Sequence, residues 1–140
     1  MSNFAPLPLR AMVAIGFLYH GLPKFTGAGH QEFVGMLQAI GVPAPDLAAW
    51  LVGVVEVGGA LLILAGAFTV IAATLLMINM VVAAVTVHMP NGFNFIHITG
   101  MTGQVPTFGM PGYEVNLLYI SILLALALGG PGAMSFDAKR

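Results

Sequence analysis

The strongest constraint on this chain is one long apolar run, from Leu47 to Val87. It is about twice as long as the roughly 20 residues that an α-helix needs to cross a bilayer. The run therefore has to fold back on itself, and Gly66, within the segment AGAFT, is the flexible point where a turn is expected. We predict two membrane-spanning helices here, over about residues 47–65 and 70–88.

Composition extends this prediction to the whole chain. Of the 140 residues, 59% are hydrophobic and 6% are charged, and the mean hydropathy is +0.97, whereas soluble domains carry about 25% charged residues. Two further apolar runs, at about 7–22 and 113–129, complete four spans in a single domain over residues 1–140. The predicted fold class is all-α, an integral membrane four-helix bundle with a short interfacial helix in the first outer loop and a long capping loop between helices three and four.

The two longer loops carry their own patterns. In the first, Phe33, Met36, Leu37 and Ile40 recur at i, i+3, i+4 and i+7, which indicates a short amphipathic helix at the membrane interface. Asp46 is placed to cap the following long helix. The second loop, MPNGFNFIHITGMTGQVPTFGMPG, is rich in glycine and proline yet apolar, which favours a cap folded onto the helices.

Several residue patterns are missing, and each absence removes a class of function. The chain has no cysteine, which excludes thiol redox chemistry, disulfides, cysteine-held zinc and iron–sulfur clusters. Its net charge is −1 and no basic run occurs, so no nucleic-acid partner is expected. The nine methionines show no repeated Met/His spacing for copper, and no local signature supports haem on His20 and His88. We expect no metal and no covalent cofactor.

Four spans place both termini on one side of the membrane. That side carries Arg10, Lys139 and Arg140, whereas the other carries only Lys24. The positive-inside rule therefore predicts that both termini are cytoplasmic. The two long loops and all four histidines then lie toward the outer side.

Glu56 is the only ionisable group in GVVEVGGALLILAG. It lies about ten residues into its helix, roughly 15 Å deep, where a charge costs on the order of 3 kcal/mol. We therefore expect it to be paired, protonated or facing a polar cavity. Gly53, Gly59 and Ala60 share its helical face, so a neighbouring helix or a ligand can approach closely. A purely structural hydrogen bond between helices is the alternative.

Three residues on other helices are candidate partners of Glu56. His20 and Lys24 are four residues apart and share a helical face. His20 is about 6 Å deeper, so it is the preferred partner, with Lys24 second. Snorkelling of Lys24 to the interface is the alternative for that residue. Asn79, deep in the third helix, is a further candidate.

The remaining candidates lie at the outer ends of the last two helices. Glu114, in a first helical turn, also suits the helix dipole without any further role. Tyr113, Asn116 and Tyr119 are assigned to packing first and to ligand contact second. No catalytic residue is assigned. The ligand-binding candidates are Glu56, His20, Lys24, His88, Glu114, Asn79 and Tyr113.

Four segments together resemble the DoxX family of small four-helix membrane proteins. They are GFLYHGLPKFTG, AWLVGVVEVGGALLILAGAFT, VHMPNGF and GYEVNLLYISILLALALGGPGAMSFD. The resemblance covers nearly the whole chain, except the first loop and the insert ITGMTGQVPTFGMPG. It implies a four-helix bundle in a prokaryotic cytoplasmic (inner) membrane and an association with quinone-linked oxidoreductases, and it supplies no catalytic residues.

The leading functional hypothesis is a membrane subunit of a quinone-linked oxidoreductase system. It would bind a quinone or similar apolar ligand from the outer leaflet, with Glu56, His20 and Lys24 at the polar end of the pocket and Phe93 and Phe95 over its mouth. Electrons would come from a membrane or peripheral redox protein partner or from the ligand. The alternatives are a non-catalytic scaffold or assembly subunit and a small proton-coupled transporter. None of these hypotheses decides whether the protein is an enzyme or whether it forms a homo-oligomer.

Overall fold

The computed structural model describes residues 3–137, which are mostly helical. Lys139 and Arg140, on which part of the orientation prediction depends, lie outside the described residues. The described part of the chain contains five α-helices and one two-stranded antiparallel sheet. These elements are α1 (Pro6–Gly21), α2 (Gly27–Ala39), α3 (Pro45–Ala65), α4 (Thr69–Ala83), β1 (Ile98–Thr102), β2 (Val105–Phe108) and α5 (Glu114–Gly129).

Two helices are long and apolar enough to cross a membrane. They are α3, with 21 residues, and α4 continued through a π-helical turn (Ala84–His88) and a 3₁₀ turn (Met89–Asn91), with 23 residues. The turn between them is where the sequence predicted it, and Gly66 adopts a left-handed conformation there, with φ +62°. Helices α1 and α5 have 16 residues each, about 24 Å, which is shorter than a hydrocarbon core of about 30 Å.

The four long helices pack side by side. Helix α1 contacts α3, α3 contacts α4, α4 contacts α5, and α5 contacts α1. Glycine and alanine allow the close approaches; a side chain at Gly59 would overlap Leu76. The buried core between the helices is formed by Val13, Ala14, Phe17, Ala60, Ile63, Ala72, Ala73, Leu76, Leu123 and Leu126. The outward faces are apolar as well, as expected where lipid replaces water.

A buried arginine closes one end of the helices. Arg10 is only 1% exposed, and its guanidinium donates to the carbonyls of Ile63 and Leu64 at the end of α3. It also donates to carbonyls of the C-terminal segment (residues 131–137), namely those of Pro131, Ala133 and Met134. The last carbonyls of a helix have no partner within it, and a cation there also suits the helix dipole. From the sequence, Arg10 was counted only among the charges on the side of the termini; its buried capping position was missed.

The C-terminal segment also caps the start of α4. The Asp137 carboxylate accepts hydrogen bonds from the backbone N–H groups of Phe68, at 3.0 Å, and Thr69, at 2.8 Å. The first N–H groups of a helix have no partner within the helix itself, and a negative charge is favourable there. Asp137 and Arg10 thus join the C-terminal segment to the α3–α4 turn.

The all-α prediction missed the β1–β2 hairpin in the long loop. Ile98 pairs with Phe108 and Thr102 with Val105, and a β-bulge interrupts the register after Ile98. Gly103, with φ +64°, provides the turn. The strands are short and contain glycine and proline, so they lack the regular alternation that identifies a strand in a sequence.

The interfacial helix was predicted correctly as a helix, but the cap of α3 was not. Helix α2 is capped by Thr26, whose hydroxyl accepts from the Gly29 N–H at 3.3 Å. Helix α3 begins at Pro45 with Ala44 at its N-cap and no side-chain cap. Asp46 lies two positions beyond this N-cap, and its carboxylate instead meets the His30 ring at 2.9 Å.

Candidate functional site

A buried ion pair joins Lys24 and Glu56. Lys24 Nζ lies 2.6 Å from Glu56 Oε2, and the two side chains are 9% and 7% exposed. The same Nζ donates to the backbone carbonyl of His20 at 2.8 Å. The prediction that His20 is the preferred partner of Glu56 was therefore wrong. Helix α1 ends at Gly21, and Lys24 lies in the 3₁₀ turn that follows (Leu22–Phe25), with its Nζ directed back to the last turn of α1.

The second carboxylate oxygen of Glu56 is also occupied. Asn79 Nδ2 donates to Glu56 Oε1 at 3.0 Å, which confirms the predicted pairing of these residues. Small residues make room on both sides. A side chain at Gly21 would meet Glu56 and Val57, and one at Gly53 would meet Phe25 and Lys24. Buried polar groups are costly unless hydrogen-bonded, and here the 3₁₀ turn after α1 and helix α4 together supply the partners of Glu56.

A mostly apolar cavity of about 480 Å³ is lined by both members of this pair. Small-molecule sites in proteins are typically about 300–1,000 Å³, mostly apolar, with a few polar groups that fix orientation. The polar side chains on the cavity wall are His20, Lys24, Glu56, His88, Asn116 and Tyr119. The larger apolar ones are Phe17, Phe33, Met36, Met80, Val87, Phe95, Met110 and Val115.

His88 lies in the cavity wall, and a hydrogen bond fixes the tautomer of its ring. It ends the π-helical turn, a feature that often marks functional sites. His88 Nδ1 lies 2.9 Å from the Pro111 carbonyl, and a carbonyl can only accept, so Nδ1 carries the hydrogen. In the neutral ring, Nε2 is then an acceptor, and it has no hydrogen-bond partner among residues 3–137.

Phe33 connects α2 to the ion pair. Lys24 Nζ lies 4.5 Å from the centroid of the Phe33 ring, a cation–π contact. The Lys24 ammonium has three N–H donors, and two of them bond to His20 O and Glu56 Oε2. The third has no oxygen partner among the described residues, and it lies beside a ring that lines the cavity.

His30 links the backbone of Lys24 to Asp46 at the start of α3. Its Nδ1 lies 3.0 Å from the Lys24 carbonyl, its Nε2 lies 2.9 Å from Asp46 Oδ1, and its ring stacks on Trp50 at 4.5 Å. The hydrogen bond to Asp46 is the main reason that the pKa of His30 is raised. Sequence reasoning missed His30, because its partners are far apart in the chain.

Of the other candidates, His20 lines the cavity, whereas Glu114 and Tyr113 do not. His20 lines it with an exposed imidazole that packs edge-on against Tyr19 at 5.4 Å. Glu114 Oε2 accepts from the Phe95 N–H at 2.9 Å, which fixes the long loop. The Tyr113 ring packs on Phe93 at 5.5 Å. Glu114, Tyr113 and Phe93 do not line the cavity, whereas Phe95 does.

Several cavity residues carried no signal in the sequence. Phe17, Phe33 and Met80 read as ordinary packing residues, because an apolar wall and an apolar core have the same composition. Asn116 and Tyr119, assigned to packing first, also line the cavity. Among residues 3–137, no group of three or more His, Cys, Asp or Glu side chains is placed to hold a metal ion.

Comparison with known proteins decides the family. The DoxX family model matches residues 5–89, which is more than half of the chain. The chain belongs to the DoxX family. The matched range contains His20, Lys24, Glu56, Asn79 and His88 of this DoxX protein and ends before the hairpin.

Three relatives match most of this DoxX protein. The inner membrane protein YphA of Escherichia coli is 34% identical over 130 residues, covering 93% of this chain and 86% of the relative. The uncharacterized membrane protein Rv3486 of Mycobacterium tuberculosis is 33% identical over 135 residues, covering 94% and 78%. An uncharacterized protein of Haemophilus influenzae is 30% identical over 131 residues, covering 94% and 87%. No solved structure matches. The chain is thus a prokaryotic membrane protein of the DoxX family.

Proposed function

We propose that this DoxX protein is the membrane subunit of a quinone-linked oxidoreductase system and binds a quinone or similar apolar ligand in the cavity. The observation that carries the proposal is the cavity of about 480 Å³, which is mostly apolar and is lined by both members of the buried Lys24–Glu56 pair. A quinone ring has the matching character, because its faces are apolar and its two oxygens are polar.

Two side chains are suited to bind the oxygens of such a ligand. Lys24 has one N–H without an oxygen partner among the described residues, which can donate to a ligand carbonyl. His88 Nε2 can accept a proton or a hydrogen bond from a ligand hydroxyl. Glu56 also lines the cavity, and it holds Lys24 in place, with one hydrogen bond to each of its carboxylate oxygens.

A bound quinone would supply the redox chemistry, taking up two electrons and two protons on reduction. The chain contributes binding and proton exchange, so the proposal includes a membrane or peripheral redox protein that delivers or removes the electrons. The DoxX family assignment supports a role in a membrane. No cysteine is available for electron transfer within the chain.

We propose further that α1, α3, α4 and α5 all span the membrane, with both termini in the cytoplasm. Arg10 is buried against backbone carbonyls and Lys24 is buried in the ion pair with Glu56, so we expect the orientation to depend on the C-terminal charges Lys139 and Arg140. Because the chain has no cysteine, single cysteines at Gln104 and Met134 can test this. A membrane-impermeant maleimide added to intact cells should label Gln104→Cys and not Met134→Cys. The reverse labelling pattern would place the termini outside.

The binding test fills the cavity without touching its polar groups. Ala83 lines the cavity, so Ala83→Phe should occupy ligand space, whereas Ala125 is exposed on α5 and Ala125→Phe is the matched control. After gentle purification, extracted lipids are analysed for quinones by mass spectrometry. Binding of a short-chain ubiquinone or menaquinone analogue is followed by fluorescence of Trp50, the single tryptophan.

The expected result is that the wild type and Ala125→Phe retain and bind quinone, while Ala83→Phe does neither. If the wild type neither retains nor binds any quinone, the proposed function is wrong. Equal binding by all three proteins would place the ligand outside this cavity. A stable protein partner in the same preparation, without quinone, would favour the scaffold alternative.

A further inference from the structure

The β1–β2 hairpin has two chemically different faces. Paired residues of a hairpin point to the same side, and neighbours in one strand alternate. Ile98 pairs with Phe108 and Met101 pairs with Pro106, and the bulge after Ile98 keeps all four on one face. The other face carries Thr102, Val105 and Thr107, with the Thr99 hydroxyl 3.3 Å from the Thr107 carbonyl.

The apolar face is uncovered within residues 3–137. Ile98 is 55% exposed, Met101 63% and Phe108 66%. The segment 92–113 that contains the hairpin has no Asp, Glu, Lys or Arg, whereas about 25% of residues in soluble domains are charged. An uncharged, apolar surface of this kind is unsuited to water and provides no charges to steer a soluble protein partner.

The hairpin is held at the ends of two long helices. The Phe95 N–H donates to Glu114 at the start of α5, at 2.9 Å, and the Gly112 N–H donates to the Asn94 carbonyl at 3.0 Å. Farther out, the Gly109 N–H donates to the His97 carbonyl at 2.9 Å. These hydrogen bonds hold the hairpin near the end of the membrane-length helix that includes α4, which ends at Asn91.

Exposed apolar residues also occur in the chain between the membrane-length helix that includes α4 and the hairpin. Met89 is 52% exposed, Phe93 51% and Ile96 63%, and these residues link the exposed apolar end of α4 to Ile98. We propose that the Ile98–Met101–Phe108 face lies in the adjacent leaflet, at the boundary between headgroups and acyl chains, with the threonine face toward water. The lipid bilayer is the partner of this surface.

This inference is independent of what the cavity binds, but it has a consequence for access. Phe95 and Met110 flank the hairpin and line the cavity. A hairpin that lies in the leaflet places this part of the cavity wall next to lipid. An apolar ligand can then enter from the bilayer without crossing water.

The test uses tryptophan as a probe of depth on each face. Trp50→Phe removes the native tryptophan, and Phe108→Trp and Thr107→Trp then place single probes on neighbouring residues of opposite faces. Ile98→Trp and Thr102→Trp form a second pair in the same background, in case one variant does not fold. The proteins are reconstituted into phosphatidylcholine–phosphatidylglycerol vesicles that contain lipids brominated at different acyl depths.

Probes at positions 108 and 98 should emit at shorter wavelength and be quenched at least twofold more by shallow bromolipids than probes at positions 107 and 102. The latter pair should be quenched more by acrylamide. Equal quenching on the two faces, or acrylamide quenching alone at position 108, would overturn the proposal. Protection of position 108 from both quenchers would also overturn it, because the face would then be covered by protein, and loss of that protection on dilution would identify a second copy.

Discussion

Lys24 Nζ lies 2.6 Å from Glu56 Oε2, and both side chains are more than nine-tenths buried. Removing one member of such a pair leaves an uncompensated charge away from water, which costs about 3–5 kcal/mol. The pair also explains why an acid is tolerated in the middle of α3. It provides a cation inside the cavity wall, and Glu56 is the residue that keeps that cation there.

The first prediction is that Lys24→Met and Glu56→Gln each lower the free energy of unfolding by about 3–5 kcal/mol. The combined variant should lose clearly less than the sum, since neither charge is then left alone. Unfolding in mixed detergent, followed by circular dichroism, measures all three. Glu32→Gln is the matched control, because Glu32 is exposed on α2, and it should change stability by less than about 0.5 kcal/mol. Additive losses would contradict a direct pairing.

The second prediction concerns pH and His30, which lies on α2 outside the membrane-length helices. Its pKa is raised above the ordinary 6.5, chiefly by the hydrogen bond to Asp46 and partly opposed by burial. The protonated ring donates both to Asp46 and to the Lys24 carbonyl, while the neutral ring has only one donor. The stability from these contacts is therefore fully present below about pH 6.5 and is lost as pH rises through the folded-state pKa.

Trp50 reports this titration directly, because its ring lies 4.5 Å from the His30 ring. The fluorescence of Trp50 should titrate with a midpoint above 6.5 in the wild type. Asp46→Asn should lower that midpoint, and His30→Gln should abolish the transition. His97→Gln, in the other long loop, is the control and should leave the midpoint unchanged. A transition that survives His30→Gln would assign the titration to another group.

The third prediction concerns Arg10. Its guanidinium bonds to carbonyls of both the α3 end and the C-terminal segment, so Arg10→Met leaves several buried acceptors unpaired. We expect a loss of at least about 2 kcal/mol of unfolding free energy. Arg10→Lys should restore only part of it, because lysine has three donors and no planar fork. Protease cleavage of the C-terminal segment should become faster in both variants. An unchanged cleavage rate would show that Arg10 does not hold this segment against α3.

The sequence predicted the helices closely and the site only in part. The apolar ranges match α1, α3, α5 and α4 with its π-helical turn to within two residues, because long apolar runs have one way to satisfy their backbone in lipid. The predicted Asn79–Glu56 contact was also confirmed. The predicted partner of Glu56 was wrong because the position of Lys24 depends on a single 3₁₀ turn at Pro23, and hydrophobic periodicity does not predict such a turn.

The hairpin and the buried Arg10 were missed for a related reason. Both depend on contacts between parts of the chain that are distant in sequence. Arg10 meets Ile63 and Ala133, and β1 is defined only by its pairing with β2. Patterns within one segment predict that segment's conformation, whereas these features exist only once the segments are packed together.

The last prediction tests the packing of the cavity wall. Gly16 lies against Tyr119, and a methyl group added at Gly16 would overlap the Tyr119 hydroxyl and ring. Gly16→Ala should therefore destabilise the protein by about 1–3 kcal/mol, as overpacking does. Adding Tyr119→Phe should recover part of that loss, since the hydroxyl makes the closest overlap. Gly58→Ala is the matched control within α3, because nothing lies within 4 Å of the added methyl group, and alanine should raise helix stability there by up to about 1 kcal/mol. Thermal unfolding in detergent distinguishes the three variants, and equal effects of Gly16→Ala and Gly58→Ala would show that α1 and α5 do not approach as closely as described.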